Sequence, residues 1–321
     1  MNRSTALYLT GAILCILLVS GCLSSGTKDY PDADREAAIP SDREKCLPET
    51  DAYPPVVHVD FLAQPVPLPY PLSTAGAEDS PFVVPDGSAL YFFFTPDVRI
   101  PPERQVLDEV TGVWVSHRTG DTWGEPERVW LSDPGTLSLD GAVAIQGAEM
   151  FFASVREGYV GPNLFTARYA NGSWGGWAYA GDRLMKEIQA GEVHLHGDSL
   201  YFHSGREGGK GGYDIWVTTR SGGTWTDPLP LTAVNSEAMD GFPFLTQDGS
   251  ELWFTRTYLG TPGIFRSVRT AAGWSEPELV ISWFAGEPCL DAAGNVYFVH
   301  HYYVDGEMIE ADIYVAYRIK E

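Results

Sequence analysis

Five carboxylates, Asp79, Asp140, Glu192, Asp240 and Glu287, stand at comparable places along the chain, each a short way ahead of an aromatic triplet such as Leu200-Tyr201-Phe202. If they converge, their oxygens could hold a hard cation such as Ca²⁺, or two of them could serve as acid and base around a glycosidic bond. Acids carried by a repeat also have a plainer use, which is to bond loop amides. Glu192 and Glu287 align about two residues nearer the triplet than Asp140, so the five are not in one register. Glu192, His194 and His196 alternate, and on an extended strand they project to one side. Two imidazoles at that spacing chelate a transition metal only with a further converging donor, for which His300-His301 is the nearest source. Packing between sheets is the plainer role for these rings.

The elements that must position these groups are legible from a repeat. Trp123, Trp174, Trp225 and Trp274 follow one another at steps of 51, 51 and 49 residues, each just after a turn-forming Gly or Asn-Gly. Ahead of them recur Leu90-Tyr91-Phe92, Met150-Phe151-Phe152, Leu200-Tyr201-Phe202, Leu252-Trp253-Phe254 and Val296-Tyr297-Phe298, mostly behind a polar Gly turn such as Asp86-Gly87 or Asp248-Gly249. A third strand recurs as Val113-Trp114-Val115, Leu164-Phe165-Thr166, Ile215-Trp216-Val217, Ile264-Phe265-Arg266 and Ile313-Tyr314-Val315. Pro126, Pro228 and Pro277 lie three residues past three of the tryptophans, which suits an outer edge strand. Four short strands per repeat predict an all-β, five-bladed β-propeller of four-stranded antiparallel blades over residues 56–321.

The fifth copy ends at Arg318 without a tryptophan strand. Gln64-Pro65-Val66-Pro67-Leu68 mimics Asp227-Pro228-Leu229-Pro230-Leu231, so the N-terminal segment is expected to close the last blade and remove its exposed edge. The four tryptophans are expected between blades. Arg156, Arg206 and Arg256 share one place after their aromatic strands and are expected to pair with acids, Arg206 near Asp214. Asp214 and Asp312 precede third strands, where an aspartate can cap loop amides. Tyr159, Trp177, Tyr258 and Tyr303, in long loops, are candidates for ligand contact.

Residues 1–22 are a separate unit. Arg3 precedes an apolar run from Ala6 to Val19, shorter than a membrane span needs, and the run ends in Val19-Ser20-Gly21-Cys22. This is an export signal, and its ending resembles a lipoprotein signal, which implies lipidation of Cys22 and a location outside the cytoplasm on the cell or outer membrane. Residues 23–55 are polar and acidic and predict a flexible tether. The net charge is −22, or −23 once Arg3 is removed, which argues against a nucleic-acid partner. Cys46 and Cys289 then remain, and the oxidising location permits a disulfide if a loop brings them together.

Asn235-Ser236-Glu237-Ala238-Met239-Asp240-Gly241-Phe242-Pro243, Asp248-Gly249-Ser250-Glu251-Leu252-Trp253-Phe254 and Gly211-Gly212-Tyr213-Asp214-Ile215-Trp216 resemble the WD40-like repeat of TolB-type β-propellers. That resemblance spans roughly residues 56–321 and implies a scaffold for binding a protein or carbohydrate, with no reaction attached. Under it, the ligand-binding candidates are Asp79, Asp140, Glu192, His194, Asp240 and Glu287, with Ca²⁺ as the one cofactor to consider. Asp79, Asp140 and Glu192 also fall in the Asp, Asp, Glu order of arabinanase-like five-bladed glycoside hydrolases, the alternative reading. No Gly-x-Ser-x-Gly elbow, phosphate loop, dinucleotide fingerprint or paired-cysteine metal motif occurs.

Overall fold

The computed structural model describes residues 30–320, so the leader and Cys22 lie outside the described residues. Among the described residues no helix is long and apolar enough to cross a membrane. The helical pieces are α1 (Arg35–Ala38), α2 (Pro102–Gln105), a 3₁₀ turn at Pro48–Thr50 and a π-helical turn at Arg183–Ile188.

Strands make up the rest. Two short ones, β1 (Val56–Val57) and β2 (Val66–Pro67), precede the first meander, which is β3 (Ala77–Val83), β4 (Ala89–Thr95) and β5 (Gly112–Thr119), with β6 (Thr122–Trp123) and β7 (Glu127–Arg128) both on β5. The second runs β8 (Ser138–Gln146), β9 (Glu149–Arg156), β10 (Asn163–Ala170), β11 (Ser173–Tyr179). The third is β12 (Val193–His196), β13 (Ser199–Ser204) and β14 (Asp214–Ser221), edged by β15 (Thr224–Trp225) and β16 (Leu229–Pro230). The fourth is β17 (Asp240–Leu245), β18 (Glu251–Tyr258), β19 (Thr261–Thr270), with β20 (Gly273–Trp274) and β21 (Glu278–Ser282) on β19. The fifth has β22 (Ala285–Leu290), β23 (Val296–Val304) and β24 (Glu307–Ala316). Pairing is antiparallel throughout except for one parallel bridge, Ala311 to Ala77. Each first strand adjoins the next, β3 to β8, β8 to β12, β12 to β17, β17 to β22, and β22 lies against β3.

The aromatic triplets explain the packing. Their outer members, such as Leu200 and Phe202, are wholly buried, and the residue between them is buried too, because each sheet is covered on both faces. The middle aromatic receives the tryptophan hairpin of the following meander: Trp174 Nε1 donates to Tyr91 Oη at 3.2 Å, Trp225 sits edge-on to Phe151, and Arg269, stacked on Trp274, donates to Tyr201 Oη. Trp174, Trp225 and Trp274 therefore lie between meanders, as expected.

The N-terminal segment completes the fifth meander in the same way. Val66 and Pro67 pair with Val315 and Tyr314, the place that Leu229 and Pro230 take on β14, and Leu62 bridges Arg318 as Trp225 pairs with Arg220. Phe61 is held between the guanidiniums of Arg266 and Arg318, 4.3 and 4.2 Å from its ring centroid.

Residues 30–55 are not the solvated tether their composition suggested. They form a strap across the ends of the meanders where the first strands begin. Tyr30 stacks on Trp130, Arg35 is buried on Glu78, Lys45 reaches Glu310 and Asp312, Asp51 binds His300, and Tyr53 packs on Trp283 and Phe284. Arg35, Lys45 and Asp51, which read as solvent-seeking, each meet a buried titratable side chain on the sheets.

Candidate functional site

Four of the five first strands carry a bulge at the same place, with Ser80, Ala142, Phe242 and Glu287 in the left-handed region. A bulge re-aims the side chains around it. Counting from the bulge, the chain repeats in register: Asp140-Gly141-Ala142, Ala190-Gly191-Glu192 and Asp240-Gly241-Phe242 lie 50 residues apart, with Glu78-Asp79-Ser80 and Ala285-Gly286-Glu287 as the outer copies. The five predicted carboxylates therefore occupy three different positions.

Asp140 and Asp240 hold the first of these and are structural. Asp140 accepts from Arg156 Nη2 at 2.9 Å and Ser154 Oγ at 2.6 Å; Asp240 accepts from Arg256 Nε at 2.6 Å and from Ser236. Both arginines bear on two phenylalanines, Phe152 with Phe165 and Phe254 with Phe265. In the first meander the equivalent acid is Glu78, not Asp79, and its base is Arg35 of the strap, stacked on Phe94 and Phe92.

Asp79 takes the second position, where the other four meanders have glycine. It lies 3.9 Å from His301 Nε2 and keeps 29% of its side chain open. Burial works against its charge, but the nearby His301 and the Ser80 amide hold its carboxyl below the usual range.

Glu192 and Glu287 take the third position and point to the axis enclosed by the first strands. Together with His194, Phe82, Phe244 and Cys289 they line a cavity of about 50 Å³. Burial, then the charge of Asp79, pushes the Glu192 carboxyl up to about 8. Burial and the charges of Asp79 and Glu192 push Glu287 well above the usual range. His194 is driven down to about 3 by burial, so its ring is neutral. Among the described residues no group of three or more His, Cys, Asp or Glu side chains has a metal-holding arrangement. Of Asp79, Asp140 and Glu192, Asp79 and Glu192 lie near enough to feel one another's charge, whereas Asp140 is sealed inside its meander by Arg156.

At the opposite end, where the first and second strands turn, lies a cavity of about 1210 Å³. Its floor is Phe82, Ile145, Leu195, Phe244 and Leu290, and its rim is made of turns carrying Asp86, Gln146, His196, Gln247, Asp248 and Asp291. The rim is knit across meanders. Gln146 Oε1 accepts from Gly197 N at 2.7 Å while its Nε2 donates to Gly197 O at 3.1 Å, and His196 Nε2 meets Gln247 O at 3.2 Å. Asp248, bonded by the amide and hydroxyl of Ser250, has a carboxyl lowered to about 2. This vestibule was not foreseen from the sequence, although Gln146, His196 and the turns around them sit at equal repeat positions that could have pointed to a rim.

Other expectations divide. Asp214 caps the amides of Lys210 and Gly211, as expected, whereas Asp312 binds Lys45 and Ser73. Arg206 makes no ion pair with Asp214; it lies over Trp216 instead. Tyr159 and Tyr303 are partly tied down, packing on Phe165 and Phe284. The disulfide is not formed: both thiols are free, Cys46 with its amide on Glu310 at the strap and Cys289 inside β22, where its sulfur accepts from Val83 N.

No protein-family profile matches the chain, and no curated protein matches it. Among solved structures it is similar to TolB from Acinetobacter baumannii, at 13% identity and a TM-score of 0.47, covering 78% of this chain and 56% of that one. It is similar to an endo-arabinase from Bacteroides thetaiotaomicron at 16% identity and TM-score 0.45, covering 76% and 94%. A family 117 glycoside hydrolase from Zobellia galactanivorans gives 12% identity and TM-score 0.49, covering 80% and 90%.

Proposed function

We propose that this chain is a five-bladed β-propeller, closed by its N-terminal strands, exported and lipid-anchored through Cys22, that serves as a binding module for a protein or carbohydrate partner. The vestibule carries this reading. A cavity of about 1210 Å³ with an apolar floor, a polar rim and turns fixed to one another suits a preformed ligand site. Rigid blades hold the loops, and the loops select the ligand. Glycosidic cleavage is less well supported, because inversion needs two carboxyls flanking a sugar-sized space. Here Asp140 is committed to Arg156, and the cavity beside Glu192 and Glu287 is about 50 Å³.

The test is a thermal-shift and affinity-capture screen of the full chain against oligosaccharides and extracytoplasmic proteins, with Gln247→Trp to block the vestibule and Glu192→Gln to neutralise the axial acid. The reading expects a ligand whose effect Gln247→Trp abolishes and Glu192→Gln retains. Hydrolysis of an oligosaccharide that Glu192→Gln abolishes would replace it with the glycoside-processing alternative. Cys22→Ser is expected to release the protein from membranes on fractionation.

A further inference from the structure

The first four meanders each carry a tryptophan hairpin, and at its tip the second departs from the other three. In the first, third and fourth, the residue paired with the tryptophan is an arginine that lies over its ring, Arg118 on Trp123, Arg220 on Trp225 and Arg269 on Trp274. In the second that place belongs to Tyr169, whose ring centroid is 5.2 Å from that of Trp174. The two residues of the turn are Gly120-Asp121, Gly222-Gly223 and Ala271-Ala272 in the other three, and Asn171-Gly172 here.

Asn171-Gly172-Ser173 has the Asn-x-Ser pattern that accepts an N-linked glycan on the surface of an exported protein, and beyond the leader it is the only Asn-x-Ser/Thr triplet in the sequence. The turn needs positive φ at both of its residues, and Asn171 at 54° and Gly172 at 85° provide it. Gly222 and Gly223, at 58° and 83°, provide it equally without an asparagine. The turn geometry therefore permits Asn171 but does not demand it. Asn171, Gly172 and Ser173 are all exposed, and a Cβ on Gly172 would meet nothing within 4 Å. Thr122, at the place of Ser173, donates to Thr119 O at 3.0 Å, whereas among the described residues the Asn171 and Ser173 side chains have no hydrogen-bond partner. The tip also stands clear of the neighbouring sheets, because β11 is the outermost strand of its meander.

We propose that Asn171 is the attachment site of an N-linked glycan. The inference goes beyond the binding role and rests on the export reading, because the donor, a glycan joined through phosphate or diphosphate to a membrane lipid, meets the chain outside the cytoplasm. Asn171 Nδ2 forms a bond to the anomeric carbon of the first sugar, and the bond from that carbon to the phosphate oxygen breaks. The phosphate leaves with the electron pair, and one amide proton passes to a base of the transferring enzyme. Ser173, two residues on, presents the hydroxyl that completes the triplet. Tyr169, 47% exposed, then offers the first sugar an apolar ring face where the other three meanders present a guanidinium.

The test is mass spectrometry of the full chain purified from the cells that make it, with protease added to cells stripped of their outer envelope as the measure of export. Trypsin cuts after Arg168 and Arg183, so residues 169–183 are released as one peptide. That peptide is expected to carry sugar on Asn171, and to keep it in Ser173→Thr, which retains the hydroxyl. It should be bare in Asn171→Gln and in Ser173→Ala. A protease-accessible chain whose peptide is bare, sugar on the peptide that survives Asn171→Gln, or sugar indifferent to Ser173→Ala would each overturn the proposal while leaving export standing. A chain shielded from the protease would overturn the export reading, and the proposal with it.

Discussion

Replacing Glu192 by Gln should stabilise the protein at neutral pH and leave it nearly unchanged in acid. Burial and the charge of Asp79 raise the Glu192 carboxyl from 4.5 to about 8. The folded state therefore holds its proton where the unfolded chain releases it, and stability from this group is complete below pH 4.5 and lost as pH rises through about 8. Between pH 5 and pH 7 that loss is about 2.5 kcal/mol at 1.36 kcal/mol per pH unit. The effective dielectric inside proteins tempers such penalties, so about 1.5 kcal/mol is the working expectation. The amide of the Glu192→Gln variant cannot ionise, so the variant escapes the loss. Urea unfolding of both proteins at pH 5 and pH 7 measures this, with exposed Glu157→Gln as control. The stability difference should grow by about 1.5 kcal/mol in favour of Glu192→Gln. Parallel pH profiles, or a variant that loses ground as pH rises, would refute the reasoning.

Arg156→Ala removes one partner of a pair whose side chains are 7% and 2% exposed and should destabilise by about 3–5 kcal/mol in denaturant titration. Lys45→Ala strands Glu310 and Asp312, both fully buried, and should cost more stability at pH 8 than at pH 5, where Glu310, already raised by burial, takes up a proton; the strap should then be cut sooner in limited proteolysis. Cys46 and Cys289, their thiols pushed up to about 12 by burial, should resist alkylation at pH 8 in the native protein and react in urea without prior reduction.

The strand order and the closing pair β2–β24 were legible because Trp, Gly and Pro recur at a fixed period and because Pro65-Val66-Pro67 copies Pro228-Leu229-Pro230. The acids were harder. Asp79 looked like the fellow of Asp140 by its chemistry, yet the bulge puts Glu78 in that place, and a shift of one residue on a strand changes which side it faces. The strap was hidden for another reason: Arg35, Lys45 and Asp51 read as solvent-exposed until the buried side chains that receive them, Glu78, Glu310, Asp312 and His300, are known, and those lie far away along the chain. The vestibule is built from main-chain turns, whose spatial meeting leaves little trace in residue type.

The seam formed by Val66 with Val315 and by Phe61 between Arg266 and Arg318 joins the earliest-made part of the domain to the latest. A chain threaded out of the cytoplasm N-terminus first would present β1 and β2 long before β24 exists. β2 must wait through the passage of every meander for β24, β1 waits only for β21, and Arg35 of the strap meets Glu78 in the first meander. Final docking then pays a large loop-closure entropy in one step. Loss of only the last few residues, Arg318 among them, would remove the bridge to Leu62 and one side of the Phe61 clamp, while β1 stays paired with β21 and β2 with β24.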